Sequence, residues 1–246
     1  MISLKIIGPR ELETVKSRKT WGEMLYQIAK RNFNHVPYDD ITHLIKNAAN
    51  ANAVIHVAFN DKKPAGFGVV LHRQFIIKNN KTNYMVFDVG CLDAGIRRQH
   101  VYALATLTAM LRFKLGSLKR LFHKAYVLAI FMTPASYQVY QLPYKWIGTK
   151  DLNPKQRDLF EALLKAHANE FDLAYKGCGY PIQFKTWLPC DTGIDLNYNS
   201  IHSHIFLEKN PNWQEGYGLP VVFPLGWRNI FTILMGLILI KCRRKR

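Results

Sequence analysis

The spacing of apolar residues predicts two helices near the start of the chain. Residues 11–33 carry apolar side chains close to the 3.6-residue period of a helix. The positions that repeat are Trp21, Met24, Leu25 and Ile28. A shorter stretch of the same kind covers residues 40–49. We therefore expect the chain to begin with two consecutive helices.

Three apolar runs then predict neighbouring strands. They cover residues 53–59, 65–77 and 84–92 and are rich in Val, Ile and Phe. The connections between them are short and polar, which favours an antiparallel meander. The third run is apolar almost throughout, so we expect both of its faces to be buried. Asp88 interrupts this run.

A basic loop and a helix follow the third strand. The loop covers residues 93–100, and an apolar helical pattern covers 101–118. Spacings of three and four residues predict that one stripe of this helix packs against the core. The stripe consists of Val101, Leu104, Thr108, Leu111, Leu115 and Leu118. An apolar run over 125–132 is predicted to be a strand beyond this crossover helix.

The second half of the chain completes the predicted fold. Its elements are a helix over 153–170, a loop over 176–192, strands over 201–207 and 219–223, and an apolar segment over 229–240. The order of elements predicts an α+β fold with a mixed, mostly antiparallel sheet flanked by helices. We expect one domain over 1–226, followed by an apolar helix and a basic tail over 227–246.

Composition narrows the class of protein. Of the 246 residues, 48% are hydrophobic and 21% are charged, so the chain can bury a core and is not expected to be disordered. The four cysteines have no CxxC spacing, which argues against a zinc ribbon and is typical of a reducing, cytoplasmic compartment. The 34 Lys and Arg against 17 Asp and Glu give a net charge of +17. This excess implies an anionic partner: nucleic acid, an anionic membrane surface or a polyphosphate ligand.

Two segments carry most of the positive charge. Residues 94–150 contain nine Lys and Arg and no Asp or Glu, and five of the last six residues are Lys or Arg. The apolar stretch before those six residues is shorter than the roughly 20 residues that cross a bilayer. It can lie on an anionic membrane, or it can pack against the domain or a partner. We expect peripheral contact with the inner face of a membrane.

The loop after the predicted central strand contains the run Arg98-Gln99-His100-Val101-Tyr102-Ala103, which resembles the acyl-CoA loop of the GNAT-type N-acyltransferases. That family has an Arg/Gln-x-x-Gly-x-Gly/Ala pattern whose backbone amides and helix N-terminus hold the pyrophosphate of coenzyme A. The corresponding residues here are Arg98, Gln99, His100, Val101, Tyr102 and Ala103. Val101 and Tyr102 stand where the family prefers glycine and a small or apolar residue, which indicates a divergent member. A basic strand-to-helix connection without a ligand is the alternative interpretation.

The same resemblance implies two further parts of a site. Tyr140 occupies the place of the tyrosine that protonates the leaving thiolate in the family. The backbone of Val89, Gly90 and Cys91 corresponds to the splayed end of the central strand, where an N–H group polarises the thioester carbonyl. Tyr140 can equally be a core aromatic residue at the start of a helix.

Asp88 is the main candidate for a general base. A carboxylate in an apolar strand is costly unless it is paired, so Asp88 either serves a substrate amine or pairs with a nearby cation. His56 and His72 lie on the neighbouring strands and are weaker candidates. His202 and His204 alternate on a predicted strand, but two ligands make a poor metal site, and no metal is predicted.

The sequence therefore predicts acyl transfer to an amine, with acyl-CoA or an acidic acyl carrier protein as the donor and no permanently bound cofactor. A basic nucleic-acid-binding module is less favoured, because no helix-turn-helix, RNP or KH pattern occurs. A catalytically inactive scaffold of the same fold is another alternative. His35 and Asp40 also match the His-x-x-x-x-Asp pair of glycerolipid acyltransferases, which is a weaker hypothesis.

Overall fold

The structure is a computed structural model in which helices cover both faces of a sheet. It describes residues 2–77, 80–93, 95–96, 101–116, 121–122, 124–139, 153–170, 173, 181–183, 187–189 and 201–243. The strands are β1 (Ile2–Ile7), β2 (Phe33–Asn34), β3 (Ala53–Asn60), β4 (Lys63–Ile77), β5 (Asn80–Leu92), β6 (Ala125–Phe131), β7 (Ile182–Gln183), β8 (Leu188–Pro189) and β9 (Tyr217–Pro224). The helices are α1 (Val15–Asn32), α2 (Tyr38–Ala49), α3 (Val101–Leu115), α4 (Pro134–Val139), α5 (Pro154–Glu170), α6 (Ile201–Lys209) and α7 (Trp227–Arg243).

The strands form a mixed sheet. Within the described residues, the main sheet has seven strands in the order β1-β3-β4-β5-β6-β9-β7. In this part of the chain β5 and β6 pair in parallel, and the other neighbouring strands pair antiparallel. A separate pair joins β2 and β8. The predicted α+β fold with a mixed, mostly antiparallel sheet is confirmed.

Two layers of helices bury the two faces of the sheet. On one face, α1, α2 and α5 bury Ile28, Ile41 and Leu163 against the central strands. On the other face, α3 and α7 bury Met110 and Ile230 in a second cluster. Helix α3 connects the parallel strands β5 and β6, because a parallel pair requires a crossover connection. The core therefore lies on both sides of β4, β5 and β6.

The sequence analysis missed β1 and shortened β5. Strand β1 pairs antiparallel with β3 along its whole length, and its partner lies far along the chain, where local periodicity gives no sign of the pairing. Residues 80–83 lie outside the predicted run but belong to β5, with Asn80 opposite Ile77. Ladder hydrogen bonds to β4 extend the strand into these polar residues.

Residues 201–207 form helix α6, so the strand predicted there is wrong. The positions that this region buries recur at helical spacing; they are Ser203, Phe206 and Asn210. Phe206 packs against the ring of Tyr137, with ring centroids 5.6 Å apart. A stretch this short fits both the two-residue period of a strand and the 3.6-residue period of a helix. The packing of Phe206 against Tyr137 favours the helix. His202 and His204 therefore do not share a face, because residues two apart on a helix point in different directions.

Helix α3 packs with the opposite face from the predicted one. Beyond its first turn, where Val101 of the predicted stripe is buried, its buried residues are Thr106, Leu107, Ala109, Met110, Phe113 and Lys114. By contrast, Leu104 and Leu115 of the predicted stripe are 47% and 61% exposed. Apolar residues occur on both sides of this helix, so periodicity alone does not determine which side meets the sheet. Leu118 lies outside the described residues.

The remaining predicted helices and strands are present, with ends shifted by a few residues. The predicted loop over 176–192 contains the short strands β7 and β8. The apolar C-terminal segment forms α7, which packs against α3 through Ile230 and Ile233. No helix within the described ranges is long and apolar enough to cross a membrane.

Candidate functional site

The two parallel strands separate near the middle of the sheet. Strand β5 pairs with β6 from Asn83 opposite Ala125 to Phe87 opposite Ala129, where their ladder ends within the described residues. Beyond this point β5 continues to Leu92 in its ladder with β4. Strand β6 continues to its end in its ladder with β9. An opening between β5 and β6 is therefore built into the strand pairing.

A β-bulge marks the start of this opening. In the β4–β5 ladder, Gly68 is opposite Gly90 and Val70 is opposite Phe87, so two residues of β5 face one residue of β4. The two residues are Asp88 and Val89. A bulge bends its strand and turns local backbone groups out of the ladder direction, and bulges occur often beside active sites. The bulge therefore directs the backbone of β5 at the point where β6 leaves it.

Three glycines of β4 and β5 lie near the bulge. A Cβ atom at Gly66 would lie 2.6 Å from the carbonyl oxygen of Cys91, so only glycine fits there. A Cβ atom at Gly68 would meet nothing within 4 Å, which shows open space on this side of the sheet. Gly90 is the partner of Gly68 and is exposed. The Gly68–Gly90 pair therefore leaves room for a thin ligand to approach the backbone.

The start of α3 lies beside the end of β5. Val101 is the first residue of α3, is buried, and packs in one cluster with Leu92 and Ile96. The first turn of a helix has backbone N–H groups without partners inside the helix, and the helix dipole is positive there. The contact therefore places a region suited to an anion next to the opening.

The structure brings together one part of the predicted site. Val89, Gly90 and Cys91 lie on β5 beyond the last β5–β6 pair, and they are half-buried, exposed and buried, respectively. Val101, Tyr102 and Ala103 form the first turn of α3, of which Ala103 is half-buried. Asp88 lies in the bulge, but its side chain is outside what the structure describes, as is that of Tyr102. Arg98, Gln99, His100 and Tyr140 lie outside the described residues.

An ion-pair network that the sequence analysis missed holds the end of β5. Arg31 of α1 donates from Nη2 to Oδ2 of Asp93 at 2.9 Å and from Nε to Oδ1 at 3.4 Å. Asn32 Nδ2 donates to the same Oδ1 at 3.0 Å. Arg31 Nη2 also donates to the carbonyl oxygen of Pro64 at 3.0 Å. The network holds Asp93, the first residue of the basic loop, against α1, and Arg31 also contacts β4. Because Arg31 and Asp93 are 62 residues apart, no local sequence pattern indicates the pair.

His56 lies on the α3 side of the sheet, opposite Gly68 in the β3–β4 ladder. It is 2% exposed, and neither ring nitrogen has a hydrogen-bond partner among the described residues. Burial, the positive charge of Arg112 and the neighbouring His72, in that order of size, together lower the pKa of His56 to about 4. His56 is therefore a neutral imidazole at neutral pH, and a weaker base than an exposed histidine.

A tryptophan covers the opposite face of β4. Trp187 packs edge-on against Phe67 and Phe33, and its Nε1 donates to Oδ2 of Asp40 at 2.8 Å. His35 is exposed, and its carbonyl oxygen accepts the backbone N–H of Trp187 at 3.2 Å. The carboxylate of Asp40 therefore binds an indole, and the structure gives no support for a catalytic pair of Asp40 with His35. Within the described residues, no group of three His, Cys, Asp or Glu is placed to hold a metal ion.

Comparisons with known proteins gave matches only among solved structures. No family model matches the chain, and no curated protein matches it. Solved structures of acetyltransferases, one of them described as a member of the GNAT family, are similar to the chain at low sequence identity.

An aminoglycoside acetyltransferase from an uncultured soil metagenomic sample is 17% identical, with a TM-score of 0.34, over 51% of this chain and 76% of that one. A GNAT-family acetyltransferase from Streptococcus pneumoniae is 12% identical, with a TM-score of 0.36, over 57% and 82%. A mutant of the AtaT toxin, bound to the C-terminus of the antitoxin AtaR, is 12% identical, with a TM-score of 0.38, over 95% and 97%. At these values the likeness does not by itself establish an activity.

Proposed function

We propose that this protein is an acyltransferase that moves an acyl group from acyl-CoA to an amine. The observation that carries the proposal is the separation of β5 from β6 at a bulge, on a strand whose end packs against the start of α3. A thioester donor needs three things from a protein: room for its arm, N–H groups near its carbonyl, and a site for its phosphates. The opening, the bulge and the first turn of α3 are suited to these three needs.

The proposed binding roles follow the position of each residue. The backbone of Val89, Gly90 and Cys91 polarises the thioester carbonyl, since it lies at the edge that β6 leaves. The pyrophosphate binds at the loop and first turn formed by Arg98, Gln99, His100, Val101, Tyr102 and Ala103. The Gly68–Gly90 pair clears the approach for the pantetheine arm.

The proposed chemistry is a direct transfer. The amine nitrogen attacks the thioester carbonyl carbon, the C–S bond breaks, and an amide and a free thiol form. Asp88 accepts the proton that the amine loses, and Tyr140 donates a proton to the departing thiolate. The proton on Asp88 returns to Tyr140 through solvent, so the protein ends the cycle in its starting state.

Acyl carrier protein is a second candidate donor. It is acidic, and the acid-free segment 94–150 of this chain carries nine cations, which is the complementary charge. A carrier-protein donor would use the same opening for its pantetheine arm. Donor competition distinguishes the two candidates, because only one of them should support product formation at micromolar concentration.

The test is coenzyme A binding, measured by calorimetry and by the shift in unfolding temperature. Saturating coenzyme A at about 100 times its Kd should stabilise the fold by about 2.7 kcal/mol. Gly90→Val should weaken binding at least about tenfold, because the valine side chain fills the approach to the bulge. Gly226→Val is the control, since a Cβ atom there meets nothing within 4 Å and the residue lies at the start of α7, away from the bulge. Arg98→Glu should weaken binding through charge repulsion with the phosphates.

Three results separate the proposal from its alternatives. Release of free thiol from acetyl-CoA in the presence of a panel of primary amines supports it. Coenzyme A binding without thiol release on any amine supports a catalytically inactive scaffold. Salt-dependent stabilisation by short DNA or RNA, with no effect of coenzyme A, contradicts the proposal in favour of a nucleic-acid-binding module.

A further inference from the structure

Helices α3 and α7 form one layer on the sheet. Their inner faces pack into the same cluster, which contains Met110 and Phe113 of α3 and Ile230 and Ile233 of α7. Since both helices face the same side of the sheet with these residues, their opposite faces point away from the protein. We call the surface formed by these opposite faces the outer surface of the α3–α7 layer.

This outer surface is apolar along α7. The exposed side chains are Trp227, Phe231, Leu234 and Met235, at 38%, 62%, 40% and 50% exposure. Their spacing places all four on one face of the helix. Helices on protein surfaces normally turn a polar face to water, and an exposed apolar stripe indicates a contact with another molecule or with a membrane.

Helix α3 adds to the same outer surface. Leu104 and Leu115 are 47% and 61% exposed, and they belong to the side of α3 opposite Leu107 and Met110. Leu104 and Leu115, two members of the stripe that the sequence predicts for this helix, therefore face outward. Two neighbouring helices with apolar outer faces form a broader surface than either forms alone.

The charges around this surface are positive. The chain has no Asp or Glu in residues 94–150 or 216–246, so neither helix contributes an acidic side chain. Arg112 of α3 and Arg228 of α7 are exposed. Five of the six residues after Ile240 are Lys or Arg. An apolar face that carries basic side chains and no acidic ones complements a partner with an apolar interior and anionic groups where it meets water.

We propose that the outer surface of the α3–α7 layer binds an anionic membrane, with both helices lying in the plane of the bilayer interface. The 17 residues of α7 span about 25 Å at 1.5 Å per residue, which suits a helix that lies on a membrane. A symmetric dimer through this surface is disfavoured, because it would bring the same cations together from both copies. The proposal is independent of the acyl-transfer activity.

Vesicle flotation with the full chain tests this proposal. The probes are vesicles of phosphatidylcholine alone and of phosphatidylcholine with about 30% phosphatidylserine. The protein should bind the anionic vesicles at least about tenfold more tightly, and binding should weaken as salt is raised. Removing one contacting cation, as in Arg228→Gln, should weaken binding about fivefold.

Three substitutions locate the contact. Phe231→Ser and Leu115→Ser should each reduce binding to anionic vesicles, and both leave the fold intact because the side chains are exposed. Val15→Ser is the matched control, since Val15 is 78% exposed on α1, on the other face of the sheet, and its loss should not change binding. Equal losses in all three variants, or equal binding to neutral and anionic vesicles, would overturn the proposal. Concentration-dependent dimerisation that Phe231→Ser abolishes, without vesicle binding, would also overturn it.

Discussion

Buried His56 makes the fold sensitive to acid in a defined pH range. Its pKa is lowered to about 4, first by burial, then by the positive charge of Arg112 on α3, then by His72 on β4. The unfolded chain, with a histidine pKa of about 6.5, takes up a proton as the pH falls through that value, while the folded chain does not until about pH 4. The stability contributed by neutral His56 is therefore present above pH 6.5 and is lost as the pH falls toward 4.

The size of the effect follows from the pKa difference. At 1.36 kcal/mol for each pKa unit, the folded state loses about 3 kcal/mol relative to the unfolded state across this range. His56→Leu removes the titrating group and fills the same apolar space. At neutral pH we expect little loss of stability, because the imidazole nitrogens have no hydrogen-bond partner to lose among the described residues.

Urea unfolding at several pH values between about 7 and 4 measures this effect. The difference in unfolding free energy between His56→Leu and the natural chain should grow by about 3 kcal/mol in favour of the variant as the pH falls. His204→Leu removes an exposed histidine and is the control variant measured in parallel. If the difference for His56→Leu stays constant with pH, the reasoning from burial is wrong.

Three further predictions concern single contacts. Asp93→Asn should lower the unfolding free energy by about 1 kcal/mol in urea titrations, because it removes the charge that Arg31 holds across a partly exposed network. Gly66→Ala should cost about 1–3 kcal/mol in the same assay, because its Cβ collides with the β5 backbone, while Gly68→Ala, with open space, should cost less than about 1 kcal/mol. Trp187→Phe should lower the melting temperature, because it leaves a carboxylate without the indole N–H, at a cost of about 1–3 kcal/mol.

Local periodicity was enough to predict the elements that have a single apolar face to bury. Helix α2 buries Ile41, Leu44, Ile45 and Ala48, which is the spacing that predicted it. Strands β3 and β4 are β-branched runs with short connections, and their antiparallel pairing follows from the short turn between them. In these cases the local preference and the tertiary contacts agree, so the sequence pattern is sufficient.

The errors occur where two arrangements fit the same local pattern. Residues 201–207 fit a strand by alternation and a helix by the spacing of Ser203 and Phe206, and only the contact of Phe206 with Tyr137 separates them. Helix α3 is apolar on two sides, so its inner face depends on the position of α7 and of the sheet. Strand β1 depends on β3, which lies beyond two helices in the chain.

The candidate site shows the same division. The order of a central strand, a basic loop and a helix is visible in residues 84–118, and it led to the expectation of an acyl-donor site. The bulge at Asp88 and Val89 is not visible there, because it is a mismatch in register between two strands. The separation of β5 from β6 is not visible there either, because it is the point where β6 loses its ladder with β5 while its ladder with the distant strand β9 continues.

The sequence by itself determined the order of most elements and the distribution of charge, because hydrophobic period and acid-free segments are properties of neighbouring residues. Only the tertiary structure decided where β5 and β6 part, that Arg31 holds Asp93, and that Leu104 and Leu115 of α3 face outward, as the apolar stripe of α7 does. Each of these depends on residues that are distant in the chain, and their contacts exist only once the sheet and its two helix layers have formed.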